Sequence, residues 1–232
     1  MFTGLIRELG VLKSITATGG ATRLEILAPM ISSTLAVGDS VAINGICLTV
    51  TRISGKGFAV EAVGETRRLT TLGTWRRGAQ LHLEPALRVG DALDGHLMQG
   101  HIDGVGTVQK LKSDSGGLAV TIAAAADQRR FLVPKGSVAV DGVSLTVDEG
   151  PFTSGFTIYV IPHTVSVTRF ANIKVGQRVN LEMDVLVKAA RSGNMSELPS
   201  VEKNSERNDV GHGGLTMQKL LSKGFGRPPS RK

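Results

Sequence analysis

Short runs of Val, Ile, Leu and Thr, each bounded by Gly, Asp, Asn or Ser, follow one another from the N-terminus to Asp184. GVLKSI, RLEILA, SVAINGICLTVTRI and FAVEAV come first; GTVQKL, GLAVTIAA, SVAVDGVSLTV and FTIYVIP follow. Brevity, β-branched content and turn residues at the ends predict strands. Asn44-Gly45 and Asp141-Gly142 interrupt two of these runs as tight-turn or bulge dipeptides, where Gly supplies a positive φ. Short helical pieces are expected at residues 28–35 and 124–132, and helical turns within 64–75 and 162–173. After Asp184 the pattern stops. Residues 191–214 are polar and aperiodic and predict a linker; 215–225 has the spacing of a short amphipathic helix, and RPPSRK closes the chain.

The strand pattern occurs twice. VAINGICLTV (41–50) and VAVDGVSLTV (138–147) share Val, Ala, Gly, Leu, Thr and Val at an offset of 97. At that offset Gly4-Leu5-Ile6 falls on His101-Ile102-Asp103, and Gly10-Val11 on Thr107-Val108. Glu65-Thr66 meets His163-Thr164 and Leu83-Glu84 meets Leu181-Glu182 at an offset of 98, as one inserted residue would produce. Register kept over a whole unit indicates duplication of a domain. The reading is all-β with short helices: two tandem, similar six-stranded barrels, 1–97 and 98–188, and a tail, 189–232.

Composition removes several function classes. Cys47 is the only cysteine, so no internal disulfide forms, and a reducing, cytoplasmic setting is expected. No secretory leader or apolar run of membrane-spanning length is visible. The net charge of +7 is concentrated in the tail: residues 1–97 carry 10 basic and 8 acidic side chains, 98–190 carry 9 and 8, and 191–232 carry 8 and 4. With one Tyr and one Trp there is little surface for base stacking, so no nucleic-acid partner is expected for the body. His96 and His101 lack the further Cys or His that a metal site needs.

Six segments in order carry a resemblance: MFTG at the start, VAINGICLTV, GHLMQGHIDGVG (95–106), KGSVAVDGVSLTV (135–147), IPHT (161–164) and VNLEMD (179–184). Together they resemble the riboflavin synthase family, the α-type enzyme of flavin biosynthesis, over residues 1–188. The resemblance implies paired Greek-key barrels, a homotrimer, and dismutation of two molecules of 6,7-dimethyl-8-ribityllumazine. A four-carbon unit passes from one to the other, giving riboflavin and 5-amino-6-ribitylaminouracil without metal or redox cofactor. A reaction between two identical molecules needs two similar pockets that face each other, here expected between the N-terminal barrel of one subunit and the C-terminal barrel of its neighbour.

By the same resemblance the first pocket is lined by Gly4, Leu5, Ile6, Cys47, Leu48, Thr49, Glu61, Ala62, Val63, Gly64, Glu65 and Thr66. The second is lined by Gly100, His101, Ile102, Ser144, Leu145, Thr146, Ile161, Pro162, His163, Thr164, Val165 and Ser166, with Lys135 entering from another chain. His101 is the candidate proton shuttle, because imidazole titrates nearest neutrality. Cys47 and Ser144 are candidates for orienting or stabilising an adduct, and Asp184 for assisting proton transfer or holding Ser144. Unequal pairs, Cys47 with Ser144, Gly4 with His101, Glu65 with His163 and Ala86 with Asp184, are where donor and acceptor roles diverge. The competing reading is a non-catalytic lumazine or flavin carrier of the same fold. The expected C-terminal helix of the family is interrupted at Ser192-Gly193.

Overall fold

A computed structural model of the chain describes residues 1–114 and 116–193; of the tail expected over 189–232 and the linker expected over 191–214, the first residues are helical to Gly193, and the rest, with the amphipathic segment 215–225, lies outside the described residues. Both repeats belong to one unit, Met1–Met195. The first contains β1 (Glu8–Thr18), β2 (Ala21–Leu27), β3 (Ser40–Ile43), β4 (Ile46–Ser54), β5 (Gly57–Val63) and β6 (Gln80–Pro85). All pairs are antiparallel, and the order β1-β2-β5-β4-β3-β6 closes into a barrel. Alternation explains it: in β2 Thr22, Leu24 and Ile26 point inward, and the apolar faces of all six strands meet around Leu12, Leu24, Val41, Val60 and Leu83.

The second repeat supplies β7 (Gly104–Asp114), β8 (Gly117–Ala123), β9 (Ser137–Val140), β10 (Val143–Thr146), β11 (Gly155–Val160) and β12 (Arg178–Met183). Its order, β10-β9-β12-β7-β8-β11, is that of the first barrel opened between β10 and β11. The seam is joined by a single Val147–Ile158 bridge, with Asp148 N–H donating to Thr157 O at 2.9 Å. Where β4 continues to Ser54, the corresponding stretch runs into Gly150-Pro151, and proline has no N–H for a ladder. The helical expectations are met by a 3-10 turn at Ile31–Ser33, by α1 (Gly64–Leu69), α2 (Ala126–Arg129) and α3 (Pro162–Val167), and by 3-10 turns at Thr71–Thr74 and Arg169–Asn172. A nine-residue helix, α4 (Val185–Gly193), follows β12. No helix among the described residues is long and apolar enough to cross a membrane.

The repeats meet at the two dipeptide turns. A Cβ on Gly45 would stand 2.8 Å from Gly142 N, and one on Gly142 would stand 2.6 Å from Gly45 N. Only glycine allows that approach, and both have φ near +80°. Around them lies a reciprocal set of buried bonds. Thr71 N–H donates to Asn180 Oδ1 at 2.7 Å, and Arg169 N–H donates to His82 Nε2 at 2.8 Å. His82 Nδ1 therefore carries the hydrogen and donates to Asp141 O at 2.8 Å. Asn44 Oδ1 accepts from His82 N–H, and Asp141 Oδ1 accepts from Asn180 N–H, both at 2.8 Å.

The structure corrects the register of the duplication. Bulges in β1, between Leu12 and Ser14, and in β7, between Val108 and Lys110, align at an offset of 96. Gly38 and Lys135, each donating its N–H across to Val50 or Val147, align at 97, and the Val50–Val60 and Val147–Ile158 pairs move the offset to 98. Two insertions are present, one around α2 and one in the loop after β10. Gly4 thus corresponds to Gly100, and Leu5 to His101.

Candidate active site

Each barrel is entered by an extended arm, residues 1–6 or 97–102, and the two arms pair through Phe2 and Met98. A buried carboxylate grips each arm. Glu84 accepts from Thr3 N–H and Thr3 Oγ1–H, both at 2.7 Å, and from Gly4 N–H at 3.0 Å; Glu182 accepts from Gln99 N–H at 2.7 Å and Gly100 N–H at 3.0 Å. Burial raises the pKa of both carboxylates, against the backbone bonds that lower it.

The arms cross. Ser144 N–H donates to Gly4 O at 3.0 Å, and Cys47 N–H donates to Gly100 O at 2.9 Å. Ile6 packs on the core of the second barrel, and Ile102 on that of the first. Gly4, Leu5 and Ile6 accordingly stand with Ser144, and Gly100, His101 and Ile102 with Cys47, the reverse of the grouping expected from sequence order. The reason is steric and local. Gly4 (φ +80°) and Gly100 (φ +77°) lie where a Cβ would come within 2.5 Å of the Cβ of Ser144 or Cys47. Phe2 is fully buried between the barrels with Met98, Ala42 and Ala139.

Strand pleating sorts the remaining candidates. Leu48 and Leu145 point into the cores, so they hold the strands and do not line a site. Cys47 and Ser144 are half-buried and Thr49 and Thr146 exposed, all on the outer face. Because Val50 is opposite Val60 and Val147 opposite Ile158, these residues lie beside the ends of β5 and β11 and the starts of α1 and α3. There Glu61, Val63, Gly64 and Glu65 are exposed, as are Ile161, Pro162, His163 and Ser166; Thr66, Thr164 and Val165 are half-buried, and Ala62 is buried. Val63 and Leu69 near one cluster, and Ile161 and Val167 near the other, leave apolar surface uncovered.

The two half-sites differ chemically. Beside Cys47 lies Ala86, in apolar company. Beside Ser144 stands His96, whose Nδ1 is 2.7 Å from Ser144 Oγ. The sequence offers His96 only a metal-ligand reading; its place immediately before the second arm, two residues ahead of Met98, is the available signal. Among the described residues no cluster suited to a metal ion is present. Asp184, expected to assist proton transfer or to hold Ser144, accepts from Leu186 N–H at 2.8 Å at the start of α4, and its charge acts on His96. His101 is exposed and makes no hydrogen bond among the described residues. Lys135 extends into solvent at φ +58°, its Nζ 3.3 Å from Glu149 Oε1; the corresponding position of the first barrel is Gly38.

A family model described as "Lumazine binding domain" matches residues 3–86 and again 99–184. The chain is 38% identical to a riboflavin synthase of Bacillus amyloliquefaciens over 81% of its length and 87% of that protein. The chain belongs to the riboflavin synthase family. It is also 36% identical to the Brucella abortus riboflavin synthase, over 82% of this chain and 96% of that one. Among solved structures, LumP complexed with riboflavin superposes with a TM-score of 0.72 at 27% identity, covering 79% of this chain and 99% of LumP. The matched segments of the family model begin at Thr3 and Gln99, the residues whose N–H groups bind Glu84 and Glu182, so the arms are integral to the riboflavin synthase frame.

Proposed function

We propose that the protein is a riboflavin synthase that binds 6,7-dimethyl-8-ribityllumazine at both half-sites and moves a four-carbon unit from one molecule to the other. The observation that carries this reading is the pairing of equivalent positions with unequal chemistry. Cys47 and Ser144 occupy the same place relative to their arms, yet one is flanked by Ala86 and the other by a buried imidazole with Asp184 nearby. A dismutation needs that combination: similar shapes to accept the same molecule, different groups to make one molecule the donor.

The uncovered apolar surface at Val63, Leu69, Ile161 and Val167 supports a complete site formed between subunits of a homotrimer, each supplying one half-site. Bringing two bound rings together is worth up to about 7–11 kcal/mol of barrier when the geometry is well set. In this arrangement Thr49, Thr66, Thr146 and Thr164 meet the ribityl hydroxyls, backbone groups of the arms meet the pyrimidinedione edge, and His101 and Lys135 reach the reacting pair from the rim.

Purified protein mixed with 6,7-dimethyl-8-ribityllumazine alone is expected to generate riboflavin absorbance and fluorescence, and to sediment as a trimer. Bound lumazine without turnover would instead support the non-catalytic carrier reading.

A further inference from the structure

His96 is 8% exposed, and its Nε2 has no hydrogen-bond partner among the described residues. A buried ring nitrogen left open is uncommon in native structures and marks a place where a group outside the chain is expected. The other nitrogen, Nδ1, is committed to Ser144 Oγ at 2.7 Å. Among the described residues the Cys47 thiol has no such partner and packs in apolar company with Ala86. The residue matching Asp184 in the first repeat is Ala86. One half-site therefore has a hydroxyl–imidazole pair near a carboxylate, and the other a thiol in apolar surroundings.

We propose that His96 is a positioning residue for Ser144, fixing its hydroxyl in the second half-site and taking up its proton when Oγ receives one from the bound ligand. The inference rests on the function proposed above. The step balances within the pair: a proton arrives at Oγ, the hydroxyl's own proton passes to Nδ1, and the imidazole becomes a cation. The return step restores both. Burial lowers the pKa of His96 and keeps the resting ring neutral, while the charge of Asp184, the one titratable group acting on it, opposes that shift and favours the transient cation. The C-terminal half-site thereby has a proton relay of its own, with His96 acting through Ser144, distinct from the exposed His101 that stands with Cys47.

The test combines two substitutions with one spectrum. Asparagine at 96 offers an amide in place of Nδ1, able to hold the hydroxyl but not to accept a proton. We expect kcat to fall about 100-fold in His96→Ala and comparably in His96→Asn, with lumazine affinity unchanged and the acid limb of the pH profile lost in His96→Asn. Near-normal kcat and an unaltered profile in His96→Asn would reduce the residue to a structural partner and overturn the proposal. In ¹⁵N-histidine spectra, His96 is expected to stay neutral to below pH 6.5 and its Nδ1 resonance to move in Ser144→Ala; an unmoved resonance would also overturn it. The spectrum requires no turnover. Failure of the wild-type chain to make riboflavin would thus count against the function alone.

Discussion

Asp141→Asn is expected to stabilise the protein at pH 8. Asp141 is 4% exposed at the contact between the repeats, and burial, opposed by Arg169 and by the Asn180 N–H, raises its pKa from 3.8 to about 6. A folded-state pKa above the unfolded one means stability that is complete below pH 3.8 and lost as pH rises through about 6. At about 1.4 kcal/mol for each pH unit, the ionised carboxylate costs about 3 kcal/mol at pH 8. Asparagine keeps the acceptor for Asn180 N–H, as Asn44 does in the equivalent turn, and both residues tolerate the positive φ of 46° found there. Its amide N–H group would face the Arg169 guanidinium, which Asp141 Oδ2 now meets at 3.3 Å, a loss of about 1 kcal/mol. The net gain is about 2 kcal/mol. His82 supplies an internal control. Burial lowers its pKa from 6.5 to about 3, so its contribution is complete above pH 6.5 and falls away as pH drops towards 3. Between pH 4 and 6 the two slopes oppose each other in the wild type; with Asn at 141 only the His82 slope survives. Urea unfolding at pH 8, 6 and 4.5 measures this. The variant should exceed the wild type most at pH 8 and converge with it towards pH 4.5. A variant less stable than the wild type at pH 8 would refute the reasoning.

Gly100→Ala should destabilise by about 2–4 kcal/mol, because its Cβ would meet the Cβ of Cys47 at 2.5 Å in a backbone conformation that alanine rarely adopts; a loss below about 0.5 kcal/mol in chemical denaturation would contradict the arm geometry. His101→Ala should leave the unfolding midpoint unchanged, since the side chain is exposed and unbonded, while lowering kcat more than lumazine affinity in stopped-flow fluorescence; an unchanged kcat would remove His101 from the reaction.

The duplication and the strand content are legible in the sequence because alternation and turn dipeptides are local signals, and two copies of them reinforce each other. The crossing of the arms is not. Gly4 and Gly100 have the same backbone role, but the choice of which barrel each serves is made by Ser144 and Cys47, far away along the chain. Two insertions also make the apparent offset of 97 a compromise, and so Gly4 was matched to His101 in place of Gly100. His96 was visible only as one of two histidines five residues apart. Its meaning depends on Ser144 Oγ, 48 positions later. The network of His82, Asp141 and Asn180 was hidden for a related reason: polar residues in strands and tight turns ordinarily read as solvent-facing, and these face each other across the repeat contact.

Since the leading segment of either repeat caps its sibling, neither barrel is finished by its own half of the chain. Cut the polypeptide near Gly90 and the N-terminal fragment retains an arm with no home and a Cys47 whose N–H has lost its acceptor. The simplest remedy for such a fragment is a second copy of itself, with arms exchanged.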